Sequence, residues 1–228
     1  MKKLVVILSI TFFSLVLSQG VYAQLFIKGG IGYGLGVQKL LLGDSYSSSS
    51  DENVYGSFGG NLGFYLGGGF AVNQNVDFEA DLGYQNGRTV EVGSGFYTQT
   101  FTGRLIYFNP SLTYKALIEN DFSPYAKVGL LTGIPLMKVY ENKFRGGFPL
   151  GVTEALGINF KASDNLNFFV ELFHQSMIYK PMKRKDSDGT LVKFTDTLTN
   201  PVPANTEIVH HFFSFGALGL NLGIKFVL

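Results

Sequence analysis

The sequence contains no cysteine and no tryptophan, and only 15% of its 228 residues are charged. Without cysteine, the chain can form no disulfide bond and carry no cysteine-linked lipid anchor. No apolar run after residue 23 approaches the ~20 residues that a membrane-spanning helix needs. The 18 basic and 17 acidic residues nearly balance, so nothing indicates nucleic acid as a partner.

Glycine and aromatic residues are abundant instead. The chain has 29 glycines, 22 phenylalanines and 12 tyrosines, which is high against ordinary usage. Its apolar residues alternate with small or polar ones. This composition and this period of two are typical of a transmembrane β-barrel. A soluble β-sandwich is the alternative, but its outer face would need more charge.

Residues 1–23 have the pattern of a secretory signal peptide. They open with Lys2 and Lys3, continue with an apolar run, and end with small residues up to Ala23. The run is short for a membrane-anchoring helix, which is the alternative. We therefore expect cleavage after Ala23 and a single barrel domain over residues 24–228.

Eight segments alternate between apolar and small or polar residues, which predicts eight strands. Long connections are expected at 40–54, 87–101, 139–149 and 180–206, and short turns at 73–75, 118–123 and 163–165. Short and long connections thus alternate, as they do in antiparallel barrels with short turns at one end and long loops at the other. The predicted strands are 25–39, 55–72, 76–86, 102–117, 124–138, 150–162, 166–179 and 207–228.

The facing of side chains follows from the alternation. Phe58 is predicted to face outward in the second strand. Pro110 lies on the outward face of the fourth strand, which suggests a β-bulge. Glu154 interrupts the apolar outward face of the sixth strand.

The last strand ends in NLGIKFVL, with Asn221, Gly223, Phe226 and Leu228 at characteristic positions. This terminus resembles the signal read by the barrel-assembly machinery of Gram-negative outer membranes. The whole pattern resembles the small eight-stranded outer-membrane barrels of the OmpA/OmpX type, for the transmembrane barrel only.

The resemblance implies an all-β fold, an eight-stranded antiparallel up-and-down transmembrane β-barrel. It also implies export to the outer membrane of a Gram-negative bacterium. The expected partners are outer-membrane lipid, lipopolysaccharide and, during biogenesis, the assembly machinery. We expect a monomer without a cofactor.

Charged residues at inward positions predict a network in the barrel lumen. One interpretation is a structural network that neutralises buried charge, and the other is an ion pathway gated by exchange of salt bridges. The narrow interior of an eight-stranded barrel favours the first. The core of the predicted network is Lys28, Asp77, Glu79, Asp81, Lys127, Glu171 and Lys225, with Arg104, Lys115 and Lys161 as further candidates.

His174 and Ser176 are the one catalytic indication. A His-x-Ser pair late in an eight-stranded barrel resembles the site of outer-membrane lipid A deacylases, which implies a serine activated by histidine, with Glu207 as the candidate acid. Met177 stands where that family has asparagine. The alternative is a pair of polar residues at the membrane interface. His210 and His211 have no third ligand in reach, so no metal site is expected.

A basic cluster follows the seventh strand. Lys180, Lys183, Arg184 and Lys185 are either contacts for lipopolysaccharide phosphates or a solvated loop. The sequence thus predicts a non-enzymatic outer-membrane barrel with a structural or adhesion-like role through its extracellular loops. The alternatives are a lipid A deacylase-like enzyme and a narrow pore.

Overall fold

The computed structural model describes residues 24–46, 51–92, 99–116, 120–195, 206–208 and 212–228. The predicted signal peptide (residues 1–23) and the pair His210 and His211 lie outside the described residues. Within the described ranges no helix is long and apolar enough to cross a membrane.

The described residues form fifteen β-strands. Eight long strands (the first, fourth to seventh, ninth, tenth and fifteenth) build a barrel, and the shorter ones lie in the connections. The strands are β1 (Leu25–Gly36), β2 (Leu40–Tyr46), β3 (Asp51–Gly56), β4 (Asn61–Ala71), β5 (Val76–Val92), β6 (Gln99–Lys115), β7 (Phe122–Val139), β8 (Asn142–Arg145), β9 (Leu150–Lys161), β10 (Leu166–Tyr179), β11 (Lys183–Lys185), β12 (Leu191–Thr195), β13 (Thr206–Ile208), β14 (Phe213–Ser214) and β15 (Ala217–Val227).

The eight long strands close on themselves. Each pairs antiparallel with its neighbours in the order β1-β4-β5-β6-β7-β9-β10-β15, and β15 pairs with β1. The N–H of Leu228 donates to the carbonyl of Leu25 (2.9 Å), and that of Val227 donates to the carbonyl of Asn165 (2.8 Å). The start of β1, the C-terminus and the short turns therefore share one end of the barrel, the turn end, and the long connections lie at the other, the loop end. The predicted eight-stranded up-and-down barrel is confirmed.

The outer surface of the barrel is apolar. Leu66, Leu82 and Leu156 are each more than 60% exposed there. Aromatic pairs lie on the same surface, with ring centroids 5.5 Å apart for Phe70 and Phe78. A closed barrel leaves no unpaired edge, and an apolar exterior is stable only in lipid. The fold is that of a transmembrane barrel.

The connections contain more strand than the hydrophobic alternation predicts. The predicted loop 40–54 holds β2 and most of β3, the loop 139–149 holds β8, and the loop 180–206 holds β11, β12 and part of β13. β5 continues to Val92, whereas the eighth barrel strand, predicted from 207, begins only at Ala217. Outside the lipid, strands can pair through their backbones without an apolar outer face. The alternation of apolar residues therefore ends before the hydrogen-bonded strand pairs do.

The prediction that Phe58 faces outward is wrong. Residues 57–60 leave the strand, and Gly60 and Asn61 have φ angles of 91° and 65°. This turn breaks the alternation and directs Phe58 inward, where it is fully buried against Phe213 and Phe215.

The bulge predicted at Pro110 is also wrong. Pro110 pairs opposite Ala80 in an unbroken register, and pairing with β7 is interrupted at the proline but resumes in the same register. The proline removes one donor without shifting the ladder. The irregularity in this pair of strands lies between Asn86 and Thr89 instead.

Candidate functional site

The turn end of the barrel interior is closed by a buried carboxylate that accepts from two lysines. Asp77 on β5 lies 2.7 Å from the Nζ atom of Lys115 on β6 and 2.7 Å from that of Lys225 on β15. The Lys225 ammonium also sits 3.5 Å from the ring centroid of Phe26, within the range of a cation–π contact. Three strands are thus linked across the lumen.

A second ion pair cluster lies one layer further in. Lys28 on β1 contacts Glu79 at 2.5 Å and Asp81 at 3.0 Å. All three side chains are buried. Period-two alternation places Glu79 and Asp81 on the same inward face of β5, where one lysine reaches both.

Glu171 on β10 forms the third cluster and uses both carboxylate oxygens. Its Oε2 atom accepts from the Nζ of Lys127 (2.6 Å) and from the hydroxyl of Tyr125 (3.0 Å). Its Oε1 atom accepts from the side-chain amide of Asn221 (2.9 Å). The carboxylate is therefore satisfied from three directions while it is almost fully buried.

Together these clusters form a neutral network that fills the lumen. The seven predicted network residues lie in it, and Lys115 makes the count four lysines against four carboxylates. A remaining cavity in the interior has a volume of about 50 Å³. A polar layer lies between this network and the loop end, and in it the side chain of Gln175 donates to that of Gln85 (2.9 Å). An apolar cluster lies beyond this layer. The buried members of this cluster are Phe58, Phe101, Leu105, Leu131, Met137, Phe144, Met177, Tyr179, Phe213 and Phe215.

Two further lumen candidates take no part in this network, and the assignment of Arg104 to the lumen is wrong. Arg104 is exposed on the outer face of β6, because it shares the parity of the outward Ile106. Lys161 is on the inward side of β9, but it is exposed at the mouth of the lumen, where it lines a cavity with Asp77 and lies 2.9 Å from Asp164. Its hydrogen bond to Asp164 lowers the pKa of that carboxyl.

The four terminal pattern residues divide between the two faces of β15. Asn221 points inward to Glu171. A Cβ atom at Gly223 would lie 2.3 Å from the ring of Phe169, so only glycine fits there. Phe226 and Leu228 are exposed on the apolar exterior. Each of the four thus has a place in the closed barrel.

His174 and Ser176 both lie on the outer face of β10, but they are not arranged as a nucleophile and its base. The Ser176 hydroxyl donates to Oε1 of Gln38 (2.9 Å), so its single proton is not directed at His174. The acid facing His174 is Glu154 on β9, with Oε2 3.7 Å from Nδ1. That separation allows an ion pair when His174 is protonated, but it exceeds a hydrogen bond.

Glu207, the predicted acid, is described only in its backbone. Residue 207 pairs with Phe194 at the loop end, in the parallel pair of β12 and β13. Within the described part of the chain no group of three or more His, Asp or Glu side chains is arranged to hold a metal ion.

The four predicted basic residues do not form one cluster, because three of them form the strand β11 and their side chains point to opposite faces of it. Arg184 points toward the covered face of the loop-end sheet and pairs with Asp186, at 2.5 Å from Nε to Oδ1. Lys180 lies over the ring of Phe212, 5.6 Å from its centroid. Lys183 and Lys185 point to the opposite, open face, because side chains alternate along a strand.

Further cations on that open face were missed by sequence reasoning. Lys138 pairs directly opposite Lys143, which pairs opposite Lys185. Arg145 pairs opposite Lys183, which pairs opposite Lys193. The sequence signal was a hairpin centred at residues 140–141, which would have predicted the pairing of Lys138 with Lys143.

No family model matches the chain, and no curated protein sequence matches it. Among the solved structures that are similar in fold are two outer-membrane proteins. Neisserial surface protein A is 9% identical, with a TM-score of 0.51, covering 90% of this chain and 97% of that one. The outer membrane protein OprG from Pseudomonas aeruginosa is 10% identical, with a TM-score of 0.54, covering 91% and 96%. At this identity the likeness extends to the fold, which is that of the small outer-membrane β-barrels.

Proposed function

We propose that this protein is a non-enzymatic barrel of the Gram-negative outer membrane that acts through its loop-end β-structure. The observation that carries the proposal is the contrast between the two halves of the molecule. The lumen is filled by a neutral ion network, and the connections at the loop end carry seven additional strands. Sites on ordered connections above a rigid scaffold suit surface recognition.

The filled lumen supports a scaffold in preference to a pore. Ion passage would require separating buried pairs such as Lys127 with Glu171, and breaking a buried pair leaves an uncompensated charge. The cluster above the network adds a second layer, in which nine of the ten buried side chains are apolar and offer no oxygen or nitrogen to solvate an ion.

We expect the loop-end sheet to mediate attachment. Cells that carry the wild-type protein should adhere to polystyrene and to one another several-fold more than cells whose residues 183–195 are replaced by a short Gly-Ser linker. Attached cells are counted after washing, and heat-modifiable gel mobility verifies that both barrels are folded. Equal adherence of the two strains, with both barrels folded, would contradict an adhesive role.

The second candidate, an acyl hydrolase, has one observation in its favour, namely the approach of Glu154 to His174. A nucleophilic serine needs its base within ~2.6–3.2 Å, whereas Ser176 donates to Gln38.

We therefore expect purified barrel to leave lipid A intact, as measured by mass spectrometry, and Ser176→Ala to change nothing. The enzyme would replace our first choice if an acyl chain were lost with wild type and retained with Ser176→Ala.

A further inference from the structure

The open face of the loop-end sheet concentrates positive charge to a degree that needs an explanation. Seven cationic side chains lie on this face or beside it, and we call them the basic face. Its strands β7, β8, β11 and β12 are neighbours in one sheet. The members are Arg104, Lys138, Lys143, Arg145, Lys183, Lys185 and Lys193.

Four of the cross-strand pairs in the basic face join like charges. Residues directly opposite in an antiparallel pair have Cβ atoms about 5 Å apart, and like charges there are destabilising. None of the seven cations lies within ion-pair distance of a carboxylate among the residues that the structure describes. The neighbouring Asp186 is engaged by Arg184 on the other face. The fold has therefore brought these charges together without an internal counter-charge.

The basic face continues directly into the lipid-facing exterior of the barrel. A shallow cavity with a volume of about 800 Å³ lies where the two surfaces meet. It is lined by Arg104, Lys138, Lys143 and Arg145, and also by lipid-facing side chains of β7. Among the latter, Ile134 is 62% exposed. No acidic side chain lines this cavity. Its chemistry is thus cationic toward the loop end and apolar toward the bilayer.

Two exposed aromatic residues are close in the chain to residues that line this cavity. Tyr140, in the turn between β7 and β8, is 66% exposed, and Phe148, just before β9, is 77% exposed. Aromatic side chains are enriched at the level of the lipid headgroups. Together with the basic residues they indicate that this face meets the membrane surface.

We propose that the basic face and its cavity bind a phosphorylated lipid of the outer leaflet. The lipid phosphates would lie between the opposed lysine and arginine side chains and relieve their repulsion, and an acyl chain would lie against Ile134 and Leu136. Charge-assisted hydrogen bonds from Lys and Arg to phosphate are stronger than neutral ones. This inference goes beyond the proposed function: it rests on the outer-membrane location proposed there, but not on an adhesive role.

The test uses the full folded chain in neutral detergent, with lipid A, dephosphorylated lipid A and inorganic phosphate as probes. Each cation near an anionic lipid surface contributes a factor of about five in affinity. The double variant Lys143→Gln/Arg145→Gln should therefore bind lipid A about 25-fold more weakly than wild type. The dephosphorylated lipid should bind both proteins equally weakly.

The matched control removes two exposed lysines elsewhere, Lys39→Gln/Lys161→Gln. Lys39 follows β1, four strands around the barrel from β7, and Lys161 lies at the turn end. Its affinity for lipid A should equal that of wild type. Equal affinity of the Lys143/Arg145 variant and wild type would overturn the proposal, as would equal binding of the two lipids. Competition by inorganic phosphate as effective as by lipid A would overturn the lipid assignment.

A wild-type measurement covers the case in which the double variant does not fold. Phosphate contacts on an exposed surface are screened by salt, since the Debye length falls from about 10 Å at 0.1 M to about 3 Å at 1 M. Wild-type affinity for lipid A should fall as salt rises over this range, and that for dephosphorylated lipid A should not. An affinity for lipid A that is independent of salt would refute the proposal.

Discussion

Deletion of residues 226–228 is expected to leave the chain unassembled, with no heat-modifiable barrel in the outer membrane. The deletion removes the hydrogen bonds by which the N–H groups of Val227 and Leu228 reach Asn165 and Leu25. It also removes the pairing of Phe226 with both Ile27 and Leu166. The pairing of β15 with β1 and with β10 would then end early. Backbone N–H and C=O groups left unpaired in lipid cost several kcal/mol each.

The control for this experiment is a deletion of the same length at the loop end. Residues 187–189 form an exposed turn between β11 and β12, in which the N–H and hydroxyl of Thr190 cap the carboxylate of Asp188 (2.8 Å each). These hydrogen bonds lower the pKa of Asp188, but they hold nothing in the barrel. This second deletion should assemble normally. A chain lacking residues 226–228 that reached the outer membrane as a folded, heat-modifiable species would contradict the expectation.

The barrel itself follows closely from the sequence, because each strand has to separate lipid from lumen. The requirement repeats every second residue, so carboxylates at Asp77, Glu79 and Asp81 could face only one way. The bounds of β10 (Leu166–Tyr179) agree with the prediction, since an apolar outer face defines most of its length.

Contacts within a hairpin were also within reach of the sequence. Once the turn at residues 163–165 is recognised, the two strands pair so that Glu154 lies opposite His174. Glu154, an unexpected acid on the outer face, and His174 are therefore partners across one strand pair. Reading each strand separately concealed this and led to Glu207 as the acid.

Contacts across the lumen and in the loop-end sheet were not predictable in the same way. Asp77 meets Lys225 only because β15 returns to close the barrel 148 residues later. The basic face depends on β8 pairing with β11, in segments without hydrophobic alternation. Pairing there is driven by backbone hydrogen bonds, which any sequence can form, so the amino-acid pattern specifies it weakly.

Glu171→Leu is expected to destabilise the folded barrel by about 3–5 kcal/mol, because it leaves a buried lysine without its counter-charge. Lys127 lies 2.6 Å from the carboxylate and is itself buried. The substitution also leaves the Tyr125 hydroxyl and the Asn221 amide without their acceptor. Because the chain lacks tryptophan, unfolding by guanidinium is best followed by circular dichroism and gel mobility.

Two matched variants separate charge from packing at this site. Lys127→Met/Glu171→Leu removes both charges and keeps the volume, and replacing a buried pair by apolar residues is often close to neutral. The double variant should therefore recover most of the stability lost in Glu171→Leu. Glu171→Gln keeps acceptor capacity for Tyr125 but not the charge, so its stability should fall between those of wild type and Glu171→Leu. If Glu171→Leu were as stable as wild type, the lumen network would not hold the barrel closed, and the case for a filled scaffold over an ion pathway would lose its main support.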